Sequence, residues 1–282
     1  MKTLKFFPGL SIVFLMIFIS CSKNSNQEEV KLKVSDFEKM GKIHNDFLTN
    51  VKDNFTIIKN IKNEQDKINA INQFNKNFVS SLGISPYEKN LFLTEFDRNK
   101  NLVKQSYLTS AIFGYNTSTR SDNNEQNIFE IINNLHQQGV IGNQSFQLLN
   151  SLVNDLKNNY EGNLSDIELK INIENLITEF DNIGFSENSE GVMVGTVLGI
   201  SIASIEWWED NPDAFGSETR LAPWIAADIA GAAWGAATGA IGSYAGTGEV
   251  NWTAVGVGAA SGAIAGSTGA IGRIAGWLSR IL

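Results

Sequence analysis

The sequence predicts an all-α fold, on three observations. From about residue 35 to 183, apolar residues recur at spacings of three and four, the period of a helix packed along one face. From residue 191 onward, glycines recur every four residues, which lines them along one side of a helix. No apolar–polar alternation is long enough for a sheet, and only Lys170 to Ile173 is ambiguous.

Composition divides the chain in two. Every lysine and nearly all the asparagine lie before about residue 190, whereas seventeen of the 25 glycines lie from Gly191 onward. This reads as an N-terminal irregular helical bundle, residues 35–185, followed by a Gly/Ala-rich three-helix glycine-zipper bundle, residues 190–282.

Ahead of both stands a segment with the three-part form of a secretory signal. Lys2 and Lys5 are followed by an apolar run from Phe6 through Ile19, broken by Pro8, Gly9 and Ser11, and then by Ser20-Cys21. About 14 residues make only ~21 Å of helix against a hydrocarbon thickness of ~30 Å, so residues 1–20 read as a cleaved leader. Phe18-Ile19-Ser20-Cys21 resembles the lipobox of bacterial lipoproteins, with Phe18 where that family carries an aliphatic residue. The resemblance implies an acylated Cys21 at the mature terminus, a lipid membrane as partner, and a place in the cell envelope, at the outer membrane, with a secreted protein as the alternative. Residues 21–34 are then a polar tether, within which Ser22 through Glu29 is too poor in apolar side chains to offset the entropy of ordering.

The first apolar stripe is Phe37, Met40, His44, Phe47, Val51 and Phe55, opened by Ser35 with Glu38 three residues on, the spacing of a capping box. Ile68, Ile71, Phe74, Phe78 and Leu82 form the second, which stops at Gly83. Ser85-Pro86-Tyr87-Glu88 restarts with a cap, a proline in the first turn and an acidic partner. Further stripes run from Leu102 to Phe113, Ile128 to Leu135, Phe146 to Tyr160 and Leu176 to Ile183, with Gly139 and Gly162 as stops and Ser165/Glu168 as another capping box. Gly114 to Asn124 reads as an exposed loop. Asparagine forms helices poorly, so apolar faces must hold these segments.

His44 lies between Met40 and Phe47 at helical spacing, with no cysteine, aspartate or second histidine in a ligand pattern beside it. It reads as a half-buried residue on a helix face. His136, just before Gly139, suits the negative end of a helix dipole.

In the second half, the four-residue spacing joins Gly191, Gly195 and Gly199; Gly231, Gly235 and Gly239; and Gly258, Gly262 and Gly266. A glycine costs ~1 kcal/mol relative to alanine inside a helix, so a dozen make sense only where main chains pack face to face. The spacing predicts helices over Gly191 to Trp208, Ala222 to Ala245 and Trp252 to Ile281, the last capped by Asn251. The same face offers a route to self-association. The apolar stretch Val192 to Ile205 is too short to span a bilayer, and the tryptophans near the helix ends suit either an interfacial belt or core anchors. Asp228 burdens the middle helix for membrane insertion and invites an ion pair with Arg273 of the last one.

Three segments resemble a group of bacterial secreted proteins and lipoproteins with a C-terminal glycine-zipper region. They are Gly41-Lys42-Ile43-His44-Asn45, Ser201-Ile202-Ala203-Ser204-Ile205-Glu206-Trp207-Trp208, and Ala227-Asp228-Ile229-Ala230-Gly231. The zipper is also similar to membrane-active bacteriocins, whose helices meet through glycines spaced by four. Neither resemblance brings catalytic residues with it.

A net charge of -8 without a basic stripe argues against a nucleic-acid partner. One cysteine and two histidines leave no thiolate cluster or histidine-rich metal site, and no phosphate loop, dinucleotide fingerprint or nucleophile elbow is present. The acidic turn Glu206 to Glu218 lacks the alternating ligand spacing of a calcium loop. The expectation is a non-enzymatic envelope lipoprotein with no cofactor, serving as an interaction or membrane-associated structural module. A membrane-active, bacteriocin-like or pore-forming toxin is the alternative, and a hydrolase using paired carboxylates stays open because such pairs need not be close along the chain.

Overall fold

The computed structural model describes residues 30–99, 128–187, 189–214 and 222–281, with side chains of the last helix described through Thr268. The expected leader, Cys21, the helix from Leu102 to Phe113 and the loop from Gly114 to Asn124 lie outside the described residues. Among those described, every regular element is helical, and the sole extended pairing is an isolated bridge between Lys31 and Ser186. The ambiguous Lys170 to Ile173 is helix, with Leu169 and Ile173 turned to the core.

A short 3-10 turn, Val34–Phe37, leads into α1, Glu38–Lys59. Here the expected Ser35/Glu38 capping box gives way to another arrangement. The Asp36 carboxylate accepts from the Lys33 amide at 2.8 Å, and Asp181 accepts from the Val34 amide at 2.9 Å, so the entry to α1 is tied across to a later helix. Next come α2, Glu64–Ser81, and α3, Pro86–Asn99. At α3 the expected reciprocal cap forms: Ser85 N–H donates to Glu88 and Glu88 N–H to Ser85 Oγ.

After these come α4, Ile128–Gln137; α5, Asn143–Glu161; and α6, Asp166–Ile183. Gly162 ends α5 at φ +80°, a left-handed conformation that a side chain would strain. At the start of α6, Glu168 accepts from both the amide and the hydroxyl of Ser165, and these bonds hold its carboxyl below the usual range. Burial follows the expected stripes: Ile128, Ile131, Ile132 and Leu135 in α4, then Leu148, Leu149, Leu152, Val153 and Leu156 in α5.

The last three helices are α7, Gly191–Asp210; α8, Ala222–Thr247; and α9, Trp252–Ile281. Asn251 caps α9, its side-chain oxygen accepting from the Ala254 amide at 3.1 Å. Helices α8 and α9 form an antiparallel hairpin whose contact is the most extensive in the molecule, and α1, α3 and α7 pack directly on α9. Every residue of α8 from Trp224 through Ala237 is buried, and so is α9 from Ala254 through Thr268.

The hairpin has no room for side chains at its crossing. A Cβ on Gly231 would overlap the Gly262 carbonyl, one on Gly235 that of Gly258, and one on Gly266 that of Ala227, while a Cβ on Gly239 would sit 3.0 Å from the Ala254 carbonyl. The reciprocal contacts hold for Gly258 and Gly262. Main chain therefore meets main chain along successive turns, and dispersion contacts across that seam replace those that larger side chains would make.

Helix α7 uses its glycines differently from the face-to-face zipper expected of it. Gly195 and Gly199 receive the ring and backbone of Phe37, and Gly191 receives Phe185. Gly41 of α1 is itself pressed on α7, where a Cβ would lie 2.6 Å from that of Ala203 and 2.8 Å from the Gly199 carbonyl. The change of composition near residue 190 is thus not a break in packing, because one hydrophobic core contains residues of both halves.

At 20 residues, α7 is also longer than its apolar run suggested. It is long and apolar enough to cross a membrane, and most of it is buried inside the protein.

Candidate functional site

Four helices converge on a buried polar knot. α1 brings His44 and Asn45, α7 brings Ser204 and Trp208, α8 brings Asp228 and α9 brings Ser267. His44, Ser204, Asp228 and Ser267 are all at 0% exposure, so no solvent screens their interactions.

The carboxylate of Asp228 is the hub. Its Oδ2 accepts from Ser204 Oγ at 2.8 Å and Trp208 Nε1 at 2.7 Å, and lies 3.4 Å from His44 Nε2. Its Oδ1 accepts from Ser267 Oγ at 2.5 Å. A buried carboxyl group is tolerable only where its oxygens are hydrogen-bonded, and both of these are.

The imidazole faces oxygens at both nitrogens. Asn45 gives its amide N–H to the Ala203 carbonyl at 2.9 Å, which turns its oxygen toward His44 Nδ1 at 3.2 Å. His44 Nε2 faces Ser267 Oγ at 3.1 Å, a hydroxyl within reach of both Asp228 Oδ1 and the Ala263 carbonyl. A proton on Nε2 lets the ring donate toward Ser267 and Asp228, so the imidazole ties α1 to α8 and α9.

Serine, histidine and aspartate in contact invite comparison with a nucleophilic triad. The connectivity differs: in a triad, the histidine takes the serine proton on one nitrogen and donates to the aspartate from the other. Here Ser267 and Asp228 both address Nε2, while Nδ1 is spent on Asn45. The arrangement ties four helices together, and its connectivity is not that of a triad.

Aromatic packing closes the knot. The Trp208 ring stacks on Trp224 with centroids 4.9 Å apart, and Trp207 meets Trp208 edge-on. Trp207 also donates to Thr49 Oγ1 at 3.0 Å, a second tie between α1 and α7. These tryptophans, with Trp234, are core anchors.

No family model matches the chain, and no curated protein or solved structure is significantly similar to it. What its residues do must come from the geometry.

Sequence reasoning placed His44 half-buried and without an aspartate. The structure buries it fully beside Asp228, because folding rather than spacing packs α1 on α7 and α9, within reach of Asp228 on α8. Asp228, expected to face Arg273, has its oxygens occupied by α1, α7 and α9; the Arg273 side chain lies outside the described residues. A signal was nonetheless present. The three segments noted above for their resemblance, which contain His44-Asn45, Ser204 with Trp208, and Asp228, supply all of the knot except Ser267.

An open groove of about 660 Å³ lies over the knot between α1, α6 and α7, with Asn45 and Ala203 in its floor. Lysines and carboxylates alternate around it: Lys39 and Lys42 against Glu38, Asp181 and Glu206. Burial pushes the Lys39 ammonium below its ordinary value, with the Glu88 charge working in the opposite direction. Among the described residues, no group of three histidine, cysteine or acidic side chains is arranged to hold a metal ion.

Proposed function

We propose that this chain is a cell-envelope lipoprotein, anchored through an acylated Cys21, that acts as a non-enzymatic interaction or structural module. The observation that carries the reading is the sealing of the knot. Among the described residues, His44, Ser204, Asp228 and Ser267 are shut away from solvent and joined across four helices. A body braced in this way, tethered by a polar segment behind a lipid-bearing residue, suits a platform for other molecules.

Mass spectrometry of the mature amino terminus, combined with detergent fractionation, tests the anchor. The expected result is an acylated Cys21 and a protein that partitions with membranes, and Cys21→Ala releases it to the soluble fraction. A mature end elsewhere, or membrane retention of the variant, counts against the lipid anchor.

One observation favours a second reading, a membrane-active protein. The Gly/Ala-rich α8–α9 hairpin is innermost, and α1, α3 and α7 cover it. Membrane entry or self-association through the zipper glycines would require that hairpin to leave its cover, since those glycines face each other within one chain. Dye release from anionic liposomes measures this. The lipoprotein-module reading expects no release at neutral or acidic pH, and release that Gly262→Val abolishes would favour the toxin.

A further inference from the structure

We propose that the α8–α9 hairpin sets its exposed tip into the headgroup layer of the bilayer that holds Cys21, a second membrane contact that rests on the lipoprotein reading. Helix α8 runs about 12 Å past Gly239, the last of its glycines pressed on α9, and the turn beyond leads back through Val250 and Trp252. Ile241 and Tyr244 are exposed here, at 36% and 40%, and Val250 and Trp252 are partly so. The other large apolar side chains exposed on helices stand beside charges. Ile57 lies one turn from Asp53, Tyr87 precedes Glu88, Ile167 sits between Asp166 and Glu168, and Ile171 follows Lys170. Between Asp228 and Arg273, by contrast, Glu249 is the only charged residue. Taking the tip out of water strips no ammonium of its hydration, and tyrosine and tryptophan rings favour the boundary between headgroups and acyl chains. Glu249, at the turn itself, keeps the contact shallow.

The fold puts this tip at the end of the molecule where the tether arrives. The chain enters through the Lys31–Ser186 bridge, with the Leu32 amide donating to the Phe185 carbonyl at 2.7 Å, and Phe185 packs on Gly191 at the start of α7. There α9 also begins: a Cβ on Gly256 would lie 3.5 Å from Thr196 Oγ1 and 4.0 Å from Val192 Cγ1. Farther along, Ser204 of α7 and Ser267 of α9 both reach Asp228, so the two helices run in the same direction. Covalent geometry keeps Val30 within ~32 Å of Cys21, and the tip projects from the same end. The hairpin touches lipid without leaving the helices that cover it.

The acylated protein in phosphatidylcholine vesicles tests this, with an environment-sensitive dye on Ala245→Cys at the tip. Thr56→Cys is the control site. Both positions are exposed, and Thr56 lies at the opposite end, one turn beyond the Lys52 contact with Asn211. Acylation blocks Cys21, so the dye reads one position. The tip dye is expected to shift to the blue and to be quenched by lipid spin-labelled near its headgroup, with no loss in high salt, while the control dye stays in water. Ile241→Ser with Tyr244→Ser should abolish the shift. A tip dye that stays aqueous, while the mass spectrum shows an acylated Cys21, overturns the proposal and leaves the lipoprotein reading standing. A blue shift without quenching by the spin-labelled lipid also overturns it, since protein, such as a second copy, then covers the tip. An unacylated mature end overturns both.

Discussion

Gly235→Val is expected to abolish the native fold. A Cβ at this position would overlap the Gly258 carbonyl and lie 2.9 Å from Gly262 Cα, and both neighbours are backbone of the facing helix, with no rotamer to give way. Relief requires α8 and α9 to separate along a seam that runs through the core. The cost exceeds about 4 kcal/mol, the level at which single substitutions become exceptional, against a total stability of ~5–15 kcal/mol for a typical domain. Circular dichroism and urea denaturation are the measurements. Gly246→Ala is the control: it sits in the exposed end of α8 with nothing within 4 Å of the added methyl. It should be neutral or stabilise by up to ~1 kcal/mol, because alanine is the better helix former. Equal stability of the Gly235→Val protein and the unmodified chain would refute the close packing of the hairpin.

The second large effect is expected at the knot. Asp228→Ala removes the acceptor shared by Ser204, Trp208 and Ser267, and leaves the buried His44 imidazole without the carboxyl beside it. Breaking one side of a buried pair typically costs ~3–5 kcal/mol, and a domain of this size loses roughly 2–4 °C in Tm per kcal/mol, so a fall of about 10 °C is anticipated. A double-mutant cycle with His44→Ala isolates the pair. Non-additivity of at least about 1 kcal/mol is expected, because the two side chains touch. If the single variants sum to the double, the two groups are independent and the knot has been misread.

Much of the helical framework was legible in the sequence because local physics dictates it. The Ser85/Glu88 and Ser165/Glu168 pairs satisfy helix-end amides within four residues, so the spacing carries the whole interaction. The glycine period likewise marks where a backbone can be approached, but not what approaches it. Phe37 fills the space beside Gly195 and Gly199, and nothing in the spacing of those glycines distinguishes an aromatic ring from another helix. The knot was hidden for a related reason. His44 and Ser267 are 223 positions apart, and no window along the chain contains both. Composition misled where it was read as packing: lysine and asparagine fill the exposed faces of the early helices, while their buried faces join the glycine-rich helices in one core.

The docking of α1 on α7 and α9 has a kinetic consequence. Helix α1 completes its docking only once both α7 and α9 have been made, and contacts so distant in sequence form slowly. Until then its apolar stripe is only partly covered. For the exported lipoprotein proposed above, folding this late would leave time for passage through a translocation channel.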